Sequence, residues 1–462
     1  MYAFHLPRHM TKWRLGGTRR YRAYSGICLS HPLIRQAHNP LLPNVLRSSG
    51  GVPLRSTPFR NFGRSRRAYT TESFKNFANK NPILLRDTCQ CSQCIDLSTR
   101  QRDFNYAEIP SNIEVSSIEP DLETETWKVS WINDIPGYTN HTSVFTQSSL
   151  VQLLDGIPAG LDVQRSLSIW DSKTFASETK DIDYSSLLKD DDTLATALSL
   201  LQTHGLVFVT NIPDHEEAVR HLTVRLTGLY RNTFYGESWD VRSVPQAKNV
   251  AYTSKYLGFH MDLLYMKESP GLQLLHCLQN SCTGGESEFA DTFRAVDLLR
   301  KEEPRYVETL VRSKIRYGYQ NDGHFYSDDK PVIKLSQGKH LPSVDVRGAS
   351  DPDFMQDVEC VYWSPPFINS IAGAADGDTL EEFIEASKAF AEVLQRPELI
   401  YETKLPAGTC AVFDNLRVVH ARKAFDMNSG KRWLKGIYGD RQDLLSKSLK
   451  HGVLGKSVSQ SA

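Results

Sequence analysis

His260 and Asp262 stand two residues apart at the end of the run NVAYTSKYLGFHMD, residues 249–262. On an extended strand residues i and i+2 share a face, so this imidazole and this carboxylate can aim at one point. One nitrogen and one oxygen ligand, with positions left over, suit ferrous iron once a second histidine arrives from elsewhere in the fold. His420 is the candidate: it follows the apolar run of FDNLRVVH, and Arg432 stands twelve residues beyond it in GKRWL. Three protein ligands on one face leave three positions on a metal, two for a bidentate 2-oxo acid and one for dioxygen. The far carboxylate of such an acid, 2-oxoglutarate, then needs a fixed cation, and arginine offers a planar bidentate fork. Taken singly, His420 also reads as a hydrogen-bonded core histidine and Arg432 as a solvated loop residue. The ordered set of HxD, distant His and following Arg is far more specific than any member.

A second cluster lies near the N-terminus. The run LRDTCQCSQC, residues 85–94, brings Cys89, Cys91 and Cys94 within reach of one ion. Thiolates favour zinc, and a structural zinc site is tetrahedral, so a fourth ligand is required. WKVSW, residues 127–131, alternates as a half-buried strand should. A Pro/Gly/Asn turn follows it and then His141, the candidate fourth ligand. The plainer reading is a surface cysteine group beside an ordinary loop histidine.

Four aromatic residues flank the iron motif in sequence: Tyr235 and Trp239 in FYGESW, Tyr252 eight residues before His260, and Tyr438 six after Arg432. Each alone is more often a packing residue. Gathered around one pocket they make a π-faced box for a cation that has no proton to donate, a quaternary ammonium.

The elements that must position these groups are short. Residues 191–203 carry Leu194, Leu198 and Leu201 at helical spacing, and His204-Gly205 ends that helix. Residues 206–209 read as a strand, and residues 216–230 as a second amphipathic helix with Val219, Leu222, Leu226 and Leu229 on one face. Residues 272–278 and 409–413 read as buried strands. Thr379 and Glu382 form a capping-box pattern opening a helix expected to bury Leu380, Phe383, Ile384 and Leu394. Many short strands with a few packed helices predict a mainly β fold with added α-helices, a jelly-roll-like, cupin-like barrel. It would span residues 180–450, after a small N-terminal β domain over 72–170, with residues 451–462 a tail.

The formal charge of zero hides an asymmetry. Residues 1–71 hold twelve Arg and one Lys and no acid, so the other 41 basic residues face all 54 acidic ones. An Arg-rich, Ser-containing, acid-free leader reads as a mitochondrial presequence, which predicts a matrix location and a fold beginning near Thr70. The alternative is a basic nucleic-acid-binding arm. The acidic remainder argues against nucleic acid as partner, and no window of 18 apolar residues predicts membrane insertion. The scattered cysteines, Cys28, Cys277, Cys282, Cys360 and Cys410, read as small core hydrophobes rather than a disulfide framework.

From Leu85 to about Asp440 the chain resembles the γ-butyrobetaine dioxygenase family, whose near relatives are the trimethyllysine dioxygenases. The resemblance runs in order through LRDTCQCSQC, TFYGESW, NVAYT, FHMD, HCLQNSCTGGESEFAD, FDNLRVVHAR and RWLKGIYGD. It implies a small zinc-binding domain held by Cys89, Cys91, Cys94 and His141, and a double-stranded β-helix in which His260, Asp262 and His420 bind Fe(II). It further implies that Arg432 grips 2-oxoglutarate and that Tyr235, Trp239, Tyr252 and Tyr438 cage a trimethylammonium group. Asn249 occupies the position where trimethyllysine dioxygenases tend to place an acid, and so favours γ-butyrobetaine, converted to L-carnitine with O2 consumed and succinate and CO2 released. The segment VYWSPP, residues 361–366, departs from the family pattern where polar, Asn-containing residues help hold substrate. Ascorbate as reductant and a homodimer are also implied. Two other readings stand beside this one: an oxygenase acting on trimethyllysine or another small amine, and a zinc-dependent interaction protein with an inactive oxygenase domain.

Overall fold

The structure is a computed structural model and describes residues 70–121, 123–146, 149, 166–242, 253–336, 354–376 and 379–454. Residues 1–69 of the leader, Cys28 among them, and Asn249 and Tyr252 lie outside the described residues. Helices α1 (Thr71–Lys80) and α2 (Pro82–Asp87) precede an antiparallel sheet of β1 (Glu114–Asp121), β2 (Thr126–Ile132) and β3 (Thr142–Thr146). The predicted alternation in β2 is observed, with Trp127 and Val129 buried and Lys128 exposed. Phe74, Ala78 and Leu85 close over that face with Phe145. A second small cluster gathers Ile95, Phe104, Ile109 and Ile135 around Cys89 and Cys94.

The rest of the chain is built on two facing sheets. Helices α3 (Asp191–His204) and α4 (Glu217–Thr227) flank strand β4 (Leu206–Thr210). The following strands are β5 (Ser238–Arg242), β6 (Leu257–His260), β7 (Leu272–Asn280), β8 (Ser287–Asp291), then the hairpin β9 (Lys314–Asn321) and β10 (His324–Pro331). After helix α5 (Leu380–Leu394) come β11 (Tyr401–Thr403), β12 (Thr409–Asp414), β13 (Val418–Arg422) and β14 (Arg432–Gly439). One sheet runs β4-β12-β7-β14-β5, with Ile182–Asp183 at its edge; the other runs β11-β8-β13-β6. Strands that follow one another in sequence switch between the two sheets: β5, β7, β12 and β14 in one, β6, β8, β11 and β13 in the other. That winding is the predicted double-stranded β-helix.

Alternation along β7 sorts its residues by face. Leu272 and Leu274 join Leu194, Leu198, Leu201 and Leu222 beneath the helices, while Leu275 and Cys277 point between the sheets with Phe289, Phe413 and Leu434. Each leucine fully buried in this way contributes roughly 2 kcal/mol relative to exposure. Helix α3 starts where Asp190 accepts from Thr193 N at 2.8 Å and stops where Gly205 turns left-handed at φ 73°.

Two helical expectations are corrected. Helix α4 ends at Thr227 because Gly228 takes φ 87°, so Leu229 lies beyond it and is 67% exposed instead of continuing the buried face. The capping box of Thr379 and Glu382 opens α5 as predicted, and Phe383 and Leu394 are buried, yet Leu380 and Ile384 are exposed. The buried stripe runs through Phe383, Ala386, Phe390 and Val393; Ile384 sits about 100° around the helix from Phe383, off that stripe. Cys277, Cys282, Cys360 and Cys410 are buried free thiols, as expected.

Candidate active site

His260 ends β6 and His420 is central in β13, and the two are directly opposite in an antiparallel pair. Their ring centroids lie 4.1 Å apart. The His260 Nδ1–H donates to the Gly258 carbonyl at 2.9 Å, which leaves Nε2 facing Asp262 Oδ1 at 3.5 Å. His420 is half-buried at the cavity wall; desolvation of its ring, reinforced by the neighbouring His260, holds its pKa well below the ordinary imidazole value. It is therefore neutral near pH 7, as a metal-binding imidazole must be. One ligand atom from each of His260, Asp262 and His420 falls within 4.8 Å of the others.

Asp262 is held from three sides. Its Oδ2 accepts from Tyr438 Oη at 2.7 Å and from Gln273 Nε2 at 2.8 Å, leaving Oδ1 to face the histidines. Its backbone N–H donates to Asn415 Oδ1 at 2.9 Å, and Asn415 Nδ2 donates back to the Asp262 carbonyl at 3.0 Å. Asn415 is wholly buried and also ties down the Pro270 carbonyl. Directly after Asp262 the chain bends away through Leu263, a bulky residue at φ 58°. Such a conformation is strained for leucine and persists only when neighbours fix it; the Asn415 clamp and the Met261 N to Trp363 O bond of 2.8 Å do so. Gln273 and Asn415 are supporting neighbours that the sequence reading missed.

A cavity opens from this point, lined by Trp239, Leu257, Gln273, Leu275, Ser287, Phe289, Arg422, Arg432 and Leu434 with the three candidate ligands. Arg432 begins β14 and is only 9% exposed. Its Nε has no hydrogen-bond partner, and no acid pairs with it among the described residues. Burial lowers its pKa from the usual guanidinium value, yet arginine stays charged. A buried cation without a counter-ion is costly, so the cavity is built for an anion that is not part of the chain. Gly285, at φ 75°, lets the Arg432 side chain lie within 3.3 Å of where a Cβ would stand. Arg422 lines the same space; burial, then the charge of Arg432, lowers it to about 10.

Of the predicted cage residues, Trp239 and Tyr438 are in ring contact. Trp239 stacks on Tyr438 with centroids 4.0 Å apart and planes 23° from parallel. Gly436 makes this possible, because a Cβ there would stand 2.3 Å from the Trp239 ring. Burial and Asp262, then the Tyr265 and Tyr235 phenols, raise the Tyr438 pKa. Tyr235 packs against Phe234 at 4.2 Å, and Phe234 in turn meets Tyr265, Tyr319 and Tyr326.

The thiol cluster is equally well formed. Cys89, Cys91 and Cys94 Sγ lie 3.4, 3.4 and 3.3 Å from His141 Nε2, close to the about 3.6 Å edge of a tetrahedron with ordinary zinc bond lengths. Asp134 Oδ2 holds His141 Nδ1 at 2.7 Å, and its Oδ1 accepts from Arg86 Nε at 2.6 Å. Arg86 is fully buried between the Phe104 and Tyr138 rings and donates to Cys94 Sγ at 3.3 Å. Hydrogen bonding from Cys94 and His141 pulls the Cys89 pKa down, while the same contact and burial push Cys94 up. Three thiols and an imidazole this close, with a carboxylate behind the imidazole, make a donor set with outer support that fits a zinc ion.

A double-stranded β-helix that turns two imidazoles and a carboxylate toward one point, beside an unpaired buried arginine, defines the class of Fe(II)/2-oxoglutarate-dependent dioxygenases. Comparison with known proteins agrees. The profile of the family "Taurine catabolism dioxygenase TauD, TfdA family" matches residues 168–438, and the chain belongs to that family. Dioxygenase str8 from Strobilurus tenacellus is 32% identical over 371 residues, covering 77% of this chain and 81% of that protein. The γ-butyrobetaine dioxygenase of Pseudomonas sp. (strain AK-1) is 30% identical over 372 residues (79% and 89%). The trimethyllysine dioxygenase of Meyerozyma guilliermondii is 27% identical over 380 residues (79% and 88%).

Proposed function

We propose that the chain hydroxylates a small quaternary amine, γ-butyrobetaine, to give L-carnitine, with 2-oxoglutarate as co-substrate. One observation carries the reading: Tyr438 is both the stacking partner of Trp239 and the donor to Asp262 Oδ2, so the aromatic wall stands one hydrogen bond from the carboxylate. A methylated ammonium against those rings gains cation–π attraction and needs no hydrogen-bond acceptor. The uncharged Asn249 suits a substrate without a free α-ammonium.

In this proposal His260 Nε2, Asp262 Oδ1 and His420 hold Fe(II), and Arg432 pairs with the far carboxylate of 2-oxoglutarate. The iron and the 2-oxo acid together supply oxygen activation and the oxidising power for an unactivated C–H bond. The chain's own contribution is placement. Gly258 fixes the His260 tautomer, Gln273 and Tyr438 hold one oxygen of Asp262 so that the other faces inward, and the aromatic wall sets which carbon lies nearest the metal. In the thiol cluster, Cys89, Cys91, Cys94 and His141 would hold zinc for structure. The arginine-rich, acid-free leader supports a mitochondrial destination.

Purified protein with Fe(II), 2-oxoglutarate and ascorbate should release succinate several-fold faster when γ-butyrobetaine is added than with trimethyllysine. Equal or opposite ranking would move the substrate. A second reading, another small substrate, draws on Ser364: its hydroxyl is buried without a partner at the start of the turn Pro365–Phe367, and Phe367 meets Tyr265 edge-on. Stimulation by neither amine, with slow succinate release intact, is the outcome that favours it.

A further inference from the structure

The three sulfurs of the thiol cluster are not equally sheltered. Cys89 and Cys94 are buried, whereas Cys91 is partly exposed and stands between the exposed Gln90 and Ser92. What donates to each sulfur differs in the same order. Fully buried Arg86 points Nη1 at Cys94 Sγ from 3.3 Å, and Asp134 fixes that guanidinium through its Nε at 2.6 Å. Cys89 hydrogen-bonds the buried Ser143 hydroxyl, whose oxygen is itself held by Trp131 Nε1 at 3.1 Å. The groups around Cys91 Sγ are its fellow ligands, His141 Nε2 at 3.4 Å and the Cys94 thiol. Among the described residues no donor from outside the ligand set reaches it.

A hydrogen bond to a thiolate draws charge from the lone pairs that attack electrophiles, and burial keeps the electrophile away. The thiolate that lacks both protections is the one that oxidants reach first. Cys94 is placed to answer it. Two residues separate the pair, and the Cys94 N–H donates to the Cys91 carbonyl at 2.9 Å, a turn that sets both sulfurs on one side. The ligand atoms of the cluster all lie within 4.8 Å of one another. A bridge from Cys91 to Cys89 has a single residue to span and closes a tighter, more strained ring.

We propose that Cys91 is a peroxide-sensitive thiolate whose oxidation releases zinc from the cluster. The inference rests on the reading of Cys89, Cys91, Cys94 and His141 as a zinc site and adds a modification site to it. Cys91 Sγ attacks one oxygen of hydrogen peroxide; the O–O bond breaks, hydroxide leaves with the electron pair, and Cys91 becomes a sulfenic acid. Cys94 Sγ then attacks Cys91 Sγ, the S–O bond breaks, and a second hydroxide leaves. The two sulfurs have lost two electrons to the peroxide, solvent protonates both hydroxides to water, and a Cys91–Cys94 disulfide replaces two thiolate ligands. Zn(II) is left with Cys89 and His141, too few to hold it, and dissociates. A dithiol reductant reverses the disulfide and restores the ligand set.

The test follows the zinc and the sulfurs, not turnover. The full chain, purified with zinc and without added iron, is treated with hydrogen peroxide beside a chromophoric zinc chelator. A parallel sample contains dimedone, which traps sulfenic acids for peptide mass mapping. Zinc should leave in step with peroxide, and the first dimedone adduct should favour Cys91 over Cys89 and Cys94 by about fivefold or more. Without dimedone the disulfide should join Cys91 to Cys94, and dithiothreitol with zinc should restore the metal. Arg86→Lys keeps a cation but loses the fork that reaches both Asp134 and Cys94, so the Cys94 share of the adduct should rise about threefold. The wild-type labelling decides the assignment should that variant not fold. Equal labelling of the three thiols, or first labelling of Cys89 or Cys94, overturns the assignment of Cys91. Zinc that stays bound while Cys91 is oxidised overturns the release. A wild-type chain that holds no zinc when purified overturns the zinc reading itself.

Discussion

At the scale of single residues, the site depends on side chains that touch no ligand atom in the proposed arrangement. Gln273 supplies one of two hydrogen bonds to Asp262 Oδ2. Outer partners of metal ligands are worth about 10- to 100-fold in affinity or activity. Gln273→Leu should therefore weaken Fe(II) binding about tenfold while the choice between 2-oxoglutarate and 2-oxopentanoate is unchanged, both read by titration. Gly436 works by being absent: a methyl there meets the Trp239 ring. Gly436→Ala should push the indole off Tyr438 and raise KM for the amine about tenfold or more, with a much smaller effect on the affinity for 2-oxoglutarate. These residues were not legible in the sequence. The HxD, the distant His and the Arg can be read because chemistry dictates their types and order. Gln273 and Asn415 act through contacts 11 and 153 residues away, which only the folded register decides.

At the scale of elements, strand β7 carries function on one face and a liability on the other. Gln273 and Leu275 point into the cavity. His276 is wholly buried with neither ring nitrogen hydrogen-bonded, and burial lowers its pKa to about 4. In the unfolded chain an ordinary histidine titrates near 6.5. Between those values the unfolded state binds the extra proton, so stability rises with pH through that window and is flat above it. The difference amounts to about 3 kcal/mol lost on acidification from 6.5 to 4. Urea unfolding of His276→Leu should show a shallower acid limb over that range; an identical limb would place the sensitivity elsewhere. The helices make a different point about legibility. The capping box located the start of α5 correctly because capping is local, whereas Leu380 and Ile384 were misassigned because which way a helix faces is set by what it packs on.

At the scale of the whole molecule, the thiol cluster and the cavity are backed by separate cores. Phe74, Trp127 and Phe145 pack around the N-terminal sheet, and Ile95, Phe104 and Ile135 beside the cysteines, while the double-stranded helix has its own clusters between its sheets and under its helices. The ion expected at Cys89, Cys91, Cys94 and His141 would be the main link holding their segment, since binding to such a set is itself folding energy. Removing it with a strong chelator, or Cys94→Ala, should raise hydrogen exchange across residues 85–145 while leaving β7, β12 and β14 protected. Uniform loss of protection in both regions would show one cooperative unit.

The direct opposition of His260 and His420 across two hydrogen-bonded strands has a consequence for tolerance to change. The gap between neighbouring strands is a constant of peptide geometry, about 4.8 Å whatever the loops do. The reach between the two imidazoles is thus decided by the ladder and is indifferent to the length of the excursion that separates them in sequence. Insertions between β9 and α5 can therefore accumulate without retuning the distance between the two imidazoles.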